Sequence, residues 1–259
     1  MAVVRETPPL VIAHRGSSEA HPEHTLRAYE QAFEDGADGV ECDVRLTSDE
    51  QLVCVHDRTL HRTSSGTGVV SQFTLEQLQE FEWGSWKGEG HTGSLLTLRE
   101  LIETLLDGPR KLQLVIETKH PFRQAARIEE VLAEVLEEYG LLDTATADLQ
   151  VRLMSFSSRA VARFVRLAPE LERVQLVETV QLLRYRTCVG PNASIAGPGI
   201  GLLRRDRKFV ARHHAVGNHV HAWTVDSPED IQLCLDLGVD AIITNRPAAV
   251  REAVERAYS

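Results

Sequence analysis

Short apolar runs and helix-periodic stretches alternate along most of this chain. Residues 10–13 form the first apolar run, which ends at His14. Over residues 25–35, Leu26, Tyr29 and Phe33 recur at a spacing that places them on one face of a helix, with Thr25 as N-cap and Gly36 as its stop. Residues 39–43 and 52–55 read as strands. After a break, helices are predicted at 98–106, 123–139, 159–167, 206–216 and 228–237, with a terminal helix from Pro247. Strands are predicted between them at 112–117, 151–155, 174–177, 193–196, 219–224 and 241–244. This alternation is the pattern of parallel βα units, and it predicts a single α/β domain over 1–259, a TIM (β/α)8 barrel. There are nine strand candidates for eight places, so one of 174–177 and 193–196 is expected to be accessory.

Two stretches break the rhythm. Residues 44–51, which hold the turn-like Thr47-Ser48-Asp49, are too few for a parallel crossover with its helix. A return without a helix is expected there, running down the barrel and back. Residues 58–95 are rich in Gly, Ser and Thr and carry Trp83 and Trp86. They read as an insertion after the third strand, with a helix at 75–81, long enough to form a lid over one end of the barrel. The two tryptophans either cover a ligand or form the insertion's own small core.

The segment 38–57, DGVECDVRLTSDEQLVCVHD, carries the first chemical signal. In a strand, Glu41 and Asp43 project to one face while Val40, Cys42 and Val44 project to the other. Two carboxylates on one face resist burial unless positive charge lies between them. An all-oxygen set favours a hard divalent cation, Ca²⁺ or Mg²⁺; the alternative is a pair kept solvated at a barrel mouth. His56 closes the next apolar run.

Composition narrows the partners. With 28 basic and 38 acidic residues the net charge is −10, which disfavours nucleic acid. The four cysteines, Cys42, Cys54, Cys188 and Cys234, have no metal-type spacing and read as free thiols in a reducing, cytoplasmic setting. The opening MAVVRETPPLVIAHRG lacks the apolar core of a signal peptide, and no run approaches a membrane span.

Barrel enzymes keep their working residues at the C-terminal ends of the strands. Those ends supply His14, Arg15, Glu41, Asp43, His56, Asp57, Glu117, Lys119, Ser155, Trp223 and Asn245. Glu117 and Lys119 repeat the i, i+2 spacing, and Gly16 permits a turn that swings Arg15 inward. The motifs AHRGSSEAHPEHT, VECDVRLTSDE, LVCVHDRTLHRTSSGTG, WGSW, VIETK, VHAWTVD and GVDAIITNRP, in this order over nearly the whole chain, resemble the glycerophosphodiester phosphodiesterase family. The resemblance implies a metal held by Glu41, Asp43 and Glu117, His14 and His56 as the acid–base pair, and Arg15 and Lys119 on the phosphate. Three positions depart from the family's pattern: His24 where PENT has its asparagine, Asp226 for the asparagine after WTV, and Asn245 for the aspartate of ITD. These are expected to touch neither the metal ligands nor the acid–base pair.

The implied reaction suits the residues. Three carboxylates and one divalent cation sum to −1, and Arg15 with Lys119 brings the site to +1, fitting a monoanionic phosphodiester. Histidines with a pKa of about 6.5 can take and give protons near neutral pH. The expected activity is hydrolysis of a small-molecule glycerophosphodiester to glycerol 3-phosphate and an alcohol. Two alternatives are a phospholipase D-type hydrolase of lysolipids and a non-catalytic phosphodiester-binding module. Trp223 packs either on the substrate's glycerol or within a barrel layer, and Asp57 orients His56 or caps a turn. His213, His214, His219 and His221 are expected to be structural or surface histidines. The glycine-rich 197–201 is expected to be a plain tight loop.

Overall fold

The computed structural model describes residues 7–119, 126–178, 185 and 187–259. In chain order its strands are β1 (Leu10–His14), β2 (Gly39–Leu46), β3 (Leu52–Cys54), β4 (Gln113–Thr118), β5 (Val151–Ser155), β6 (Glu172–Val177), β7 (Ile195–Pro198), β8 (His219–Ala222) and β9 (Ala241–Thr244). All but β3 pair in parallel, in the order β1-β2-β4-β5-β6-β7-β8-β9, and β9 pairs with β1 again, so the barrel is closed by eight strands. The helices are α1 (Leu26–Glu34), α2 (Leu75–Gln79), α3 (Leu98–Leu106), α4 (Arg127–Glu138), α5 (Ser158–Leu167), α6 (Ile200–Arg205), α7 (Phe209–His214), α8 (Pro228–Leu237) and α9 (Pro247–Tyr258).

Strand alternation decides which side chains reach the barrel axis. Val11 and Ala13 of β1, Val40 and Cys42 of β2, and Leu114 and Ile116 of β4 pack outward in the clusters shared with the helices. Ile12, Val115, Met154 and Ile243 fill the interior. One step of two further along the same strands come His14, Glu117, Phe156 and Asn245, so the interior's apolar floor passes directly into polar groups at its upper end. Several boundaries follow from caps. Thr97 and Glu100 form a capping box at α3, Ser227 caps α8, and Gly238 ends α8 in the left-handed conformation.

Residues 174–177 and 193–196 both belong to the barrel, within β6 and overlapping β7. The ninth strand is β3, which runs antiparallel to β2 with Val44 opposite Cys54 and Leu46 opposite Leu52. The return over 44–51 is free of helix, as the spacing predicts, but it does not travel down the barrel. Instead β2 overshoots the mouth and folds back as a hairpin, which is what so short a connection permits. The helix predicted at 206–216 is the shorter α7, preceded by a break at Asp206, whose carboxylate pairs with Arg212; the glycine-rich 197–201, expected to be a plain loop, instead ends β7 and opens α6. The start of the helix predicted from residue 123, like the first six residues of the N-terminal stretch, lies outside the described residues.

Residues 58–95 hold α2 and two 3₁₀ turns around a small cluster of their own: Leu60, Val70, Leu78 and Trp83, packed on Val53 and Val55. Trp83 also donates its indole N–H to the Leu78 carbonyl at 3.0 Å. No described helix is long and apolar enough to cross a membrane.

Candidate active site

At the C-terminal end of the barrel, Glu41, Asp43 and Glu117 converge. One carboxylate oxygen from each lies within 4.8 Å of the others, and all three residues are buried. Register produces this meeting: Asp43 sits beside Glu117 across β2–β4, and Glu41 beside His14 across β1–β2. Lys119 Nζ reaches Glu117 at 2.7 Å and Asp43 Oδ1 at 3.0 Å. Arg15 lies where the chain leaves β1 with a positive φ of 58°, followed by Gly16 at 79°. This turn carries its guanidinium back over the mouth, with Nε 3.0 Å from Asp43 and a terminal nitrogen 2.9 Å from Glu23. The Arg15 backbone N–H also donates to Glu41 at 3.1 Å.

The three acids are electrically unequal. Burial, then the charge of Asp43, push Glu41 well above the ordinary range. Burial lifts Glu117 to about 7 against the opposing pull of Lys119. Burial would lift Asp43 too, but Lys119, Arg15 and the His24 hydrogen bond outweigh it and hold it well below the usual value. Asp43 Oδ1, although 3.0 Å from Lys119, is a buried oxygen with no directed hydrogen bond. An orphaned carboxylate oxygen within a cluster of three acids is a donor set suited to a divalent cation.

The two histidines are held differently. His14 lies at the end of β1, and its Nδ1 is 2.7 Å from Asn245 Oδ1. Burial and the nearby Arg15 lower its pKa to about 3. His56 is carried by the hairpin rather than by a barrel strand. Val55 donates to the Asp43 carbonyl at 3.0 Å, which returns the chain to the mouth, and Arg45 grips the His56 carbonyl with two donors at 3.0 and 2.6 Å. Asp57 accepts from His56 Nδ1 at 2.6 Å and is tied through Arg62 to Glu23. Asp57 therefore orients His56. Burial, with Lys119, lowers the His56 pKa against the opposing charge of Asp43.

His14, Arg15, Glu41, His56, Glu117 and Lys119 all line one cavity of about 130 Å³, with Phe156 and Trp223 on its apolar side. Trp223 stands edge-on to Phe156, its indole N–H donating to the Gly197 carbonyl at 2.7 Å. An adjoining cleft of about 290 Å³ shares Trp223 and Thr224 and is bordered by Gly199–Leu202. A larger groove of about 500 Å³ lies elsewhere, on the outer surface between α3 and α4. There Arg127 and Arg99 already pair with acids, and none of the residues above reaches it.

None of the three departures from the family pattern is itself a proposed metal or acid–base residue, but two of them hydrogen-bond directly to one. His24 is buried with Nε2 3.0 Å from Asp43 Oδ2 and Nδ1 2.9 Å from the Tyr29 hydroxyl. Asn245 holds His14 and is itself held by Asp226, the third departure. Local sequence cannot show contacts across 19 or 231 positions. The only signals for them were an unusual histidine beside the first motif and an asparagine at a strand end. Arg45, which holds the His56 carbonyl, and Glu23, which holds Arg15 and Arg62, carry no local sequence signal that marks them. Three other histidines behave as structural groups: His214 and His219 both pair with Asp240, and His213 bonds to the Tyr185 carbonyl.

A sequence model of the glycerophosphoryl diester phosphodiesterase family matches residues 14–249. The chain is 45% identical over 254 residues to a probable glycerophosphodiester phosphodiesterase 1 of Mycobacterium tuberculosis, across 95% of this chain and 93% of that protein. It is 32% identical over 248 residues to a glycerophosphodiester phosphodiesterase of Bacillus subtilis, across 92% of this chain and 84% of that one. A phosphodiesterase of Oleispira antarctica, solved in complex with the product sn-glycerol-3-phosphate, superimposes with a TM-score of 0.82 at 28% identity, covering 96% and 97% of the two chains.

Proposed function

Because the chain belongs to the glycerophosphoryl diester phosphodiesterase family, we propose that it hydrolyses glycerophosphodiesters to glycerol 3-phosphate and an alcohol. The observation that carries this reading is the single cavity lined by Glu41 and Glu117 of the three-acid cluster, two imidazoles and two fixed cations. Glu41, Asp43 and Glu117 would hold one divalent cation, Ca²⁺ or Mg²⁺, which when bound supplies positive charge to a non-bridging phosphate oxygen. Arg15 and Lys119 face the same oxygens and offset the charge that builds as the diester is attacked. His14 and His56 move the two protons the reaction requires, one leaving the nucleophile and one reaching the leaving alkoxide. The nucleophile is water or a neighbouring glycerol hydroxyl. Trp223 and Phe156 give an apolar wall for the glycerol carbons, and the adjoining cleft along Gly199–Leu202 takes the alcohol. Residues 58–95 serve as a lid at the mouth, linked to it by Lys87, whose ammonium donates to the Ser18 carbonyl at 2.6 Å.

The lysolipid alternative calls for an exposed apolar groove on 58–95. The exposed large hydrophobics among the described residues are Leu26, Leu106, Val165 and Val216, and none lies in that stretch. All four cysteines are free, which supports a reducing, cytoplasmic setting. The test is turnover of glycerophosphocholine with Ca²⁺, Mg²⁺ or chelator. Activity should disappear on metal removal, and His14→Ala and His56→Ala should each abolish it with the fold intact. Full activity in chelator would overturn the metal assignment, and a near-normal rate in either variant would overturn the acid–base pair. Tight binding without turnover would replace the enzyme with a binding module.

A further inference from the structure

Hydrogen-bond directions around Asn245 fix which nitrogen of His14 carries its proton. Asp226 Oδ1 accepts from the Asn245 backbone N–H at 2.8 Å and from the Thr244 hydroxyl at 3.0 Å. Its other oxygen, Oδ2, lies 2.7 Å from Asn245 Nδ2. A carboxylate can only accept, so the Asn245 amide must present its NH₂ group to Asp226 and its oxygen to the other side. That oxygen lies 2.7 Å from His14 Nδ1 and 2.7 Å from the Ser18 hydroxyl, which also reaches the His14 carbonyl at 2.7 Å. An amide oxygen can only accept. His14 Nδ1 must therefore be the donor, and Nε2, which faces the carboxylate cluster 3.9 Å from Glu41 Oε2, carries the lone pair.

We infer that Asn245, locked in orientation by Asp226, is a positioning residue that holds His14 as its Nδ1–H tautomer with Nε2 presented to the cavity. This rests on the hydrolytic reading above and assigns the atom of His14 that works in it: Nε2, not Nδ1, exchanges a proton with the reacting groups. The O–H bond of the nucleophile breaks as its proton passes to one imidazole, its oxygen bonds to phosphorus, the bond from phosphorus to the leaving alkoxide breaks, and the alkoxide takes a proton from the other imidazole.

The arrangement makes a sharp prediction because the Asp226–Asn245 pair is close to isosteric under exchange. In Asp226→Asn, the new Oδ1 keeps both acceptor roles, so its NH₂ confronts that of Asn245. Asn245 relieves the clash by turning over, which aims its NH₂ at His14 Nδ1 and drives the proton to Nε2. In the double variant Asp226→Asn/Asn245→Asp, every donor again meets an acceptor, and the carboxylate now at position 245 accepts from Nδ1 as the amide oxygen did.

The experiment is long-range ¹H–¹⁵N correlation on ¹⁵N-labelled protein loaded with Ca²⁺. The His14 signals are assigned by their loss in His14→Asn, and kcat and KM are measured on glycerophosphocholine in parallel. The wild type should show protonated Nδ1 and unprotonated Nε2. Asp226→Asn should reverse that pattern and lower kcat about 100-fold with KM nearly unchanged, and the double variant should restore both. An Nε2–H tautomer in the wild type, or an unchanged pattern in Asp226→Asn, would overturn the inference. The double variant guards against simple misfolding, since a merely structural role would not be rescued by exchanging the two groups. A tautomer that switches as described in a protein without phosphodiesterase activity would uphold the positioning role and remove the proposed function instead.

Discussion

Gly16→Ala tests how tightly the first strand end is built. Gly16 has φ +79°, where a side chain costs about 1–2 kcal/mol. A Cβ there would lie 2.6 Å from the carbonyl carbon of Ala28, 2.7 Å from its oxygen and 2.8 Å from its Cβ. Ordinary contact begins near 3.4 Å, so the start of α1 would have to retreat by about 0.8 Å (3.4 − 2.6). That start is pinned by the Ser17 N–H to the Ala28 carbonyl at 2.8 Å and by the Thr25 cap. Forcing a methyl group into so closed a contact adds about 1–3 kcal/mol. The total is about 2–5 kcal/mol, or a fall in Tm of roughly 4–20 °C for a chain of this size. Gly140→Ala is the matched control, with φ +69° and nothing within 4 Å of the new Cβ. It should show only the conformational cost of about 1–2 kcal/mol. The displaced turn also carries His14 and Arg15, so kcat/KM should drop about 100-fold in Gly16→Ala and stay unchanged in Gly140→Ala. Thermal melts and glycerophosphocholine turnover on the two variants decide the matter. Equal destabilisation in both would refute the overlap argument, and full activity in Gly16→Ala would show that the turn does not place the site.

Three further outcomes follow from other parts of the molecule. In chelator-treated protein Glu117 keeps its proton up to about pH 7, whereas the unfolded chain releases it near 4.5, so its contribution is complete below 4.5 and is lost as pH rises through 7. The stability difference between wild type and Glu117→Gln, from urea unfolding, should therefore fall by about 3 kcal/mol between those pH values (7 − 4.5, at about 1.36 kcal/mol per pH unit); a flat difference contradicts it. Asp57→Asn leaves the His56 ring without its carboxylate at 2.6 Å, so kcat should fall at least about tenfold while thermal stability changes little. Trp83→Ala removes the centre of the small cluster under 58–95 and a buried N–H bond to Leu78, at a cost of about 3–5 kcal/mol locally. Limited proteolysis should then cut within 58–95 before it cuts the barrel.

Much of this architecture is legible in the chain because barrel strands and helices obey local periodicities. The alternation in β2 alone separates Glu41 and Asp43 from Val40 and Cys42, and the same rule turns Glu117 inward on β4. Helices α3 and α8 run over the residues 98–106 and 228–237 that their periodicity predicts. What escapes such a reading depends on partners rather than patterns. Residues 52–54 are as apolar as any barrel strand, and only pairing with β2 makes them antiparallel. His24 and Asn245 sit in motifs that mark them as unusual, but the reach of His24 to Asp43 and of Asn245 to His14 is created by closing the barrel, a long-range event that neighbouring residues do not encode.

The hairpin of β2 and β3 has a consequence for how such an enzyme can change. One imidazole is built into the barrel wall, where β1 is hydrogen-bonded on both sides. The other arrives on a spur outside the eight-strand closure, moored by Arg45 and by the packing of the segment that follows it. The distance between the two imidazoles is therefore adjustable by edits to one excursion of the chain, while the eight-strand wall stays untouched.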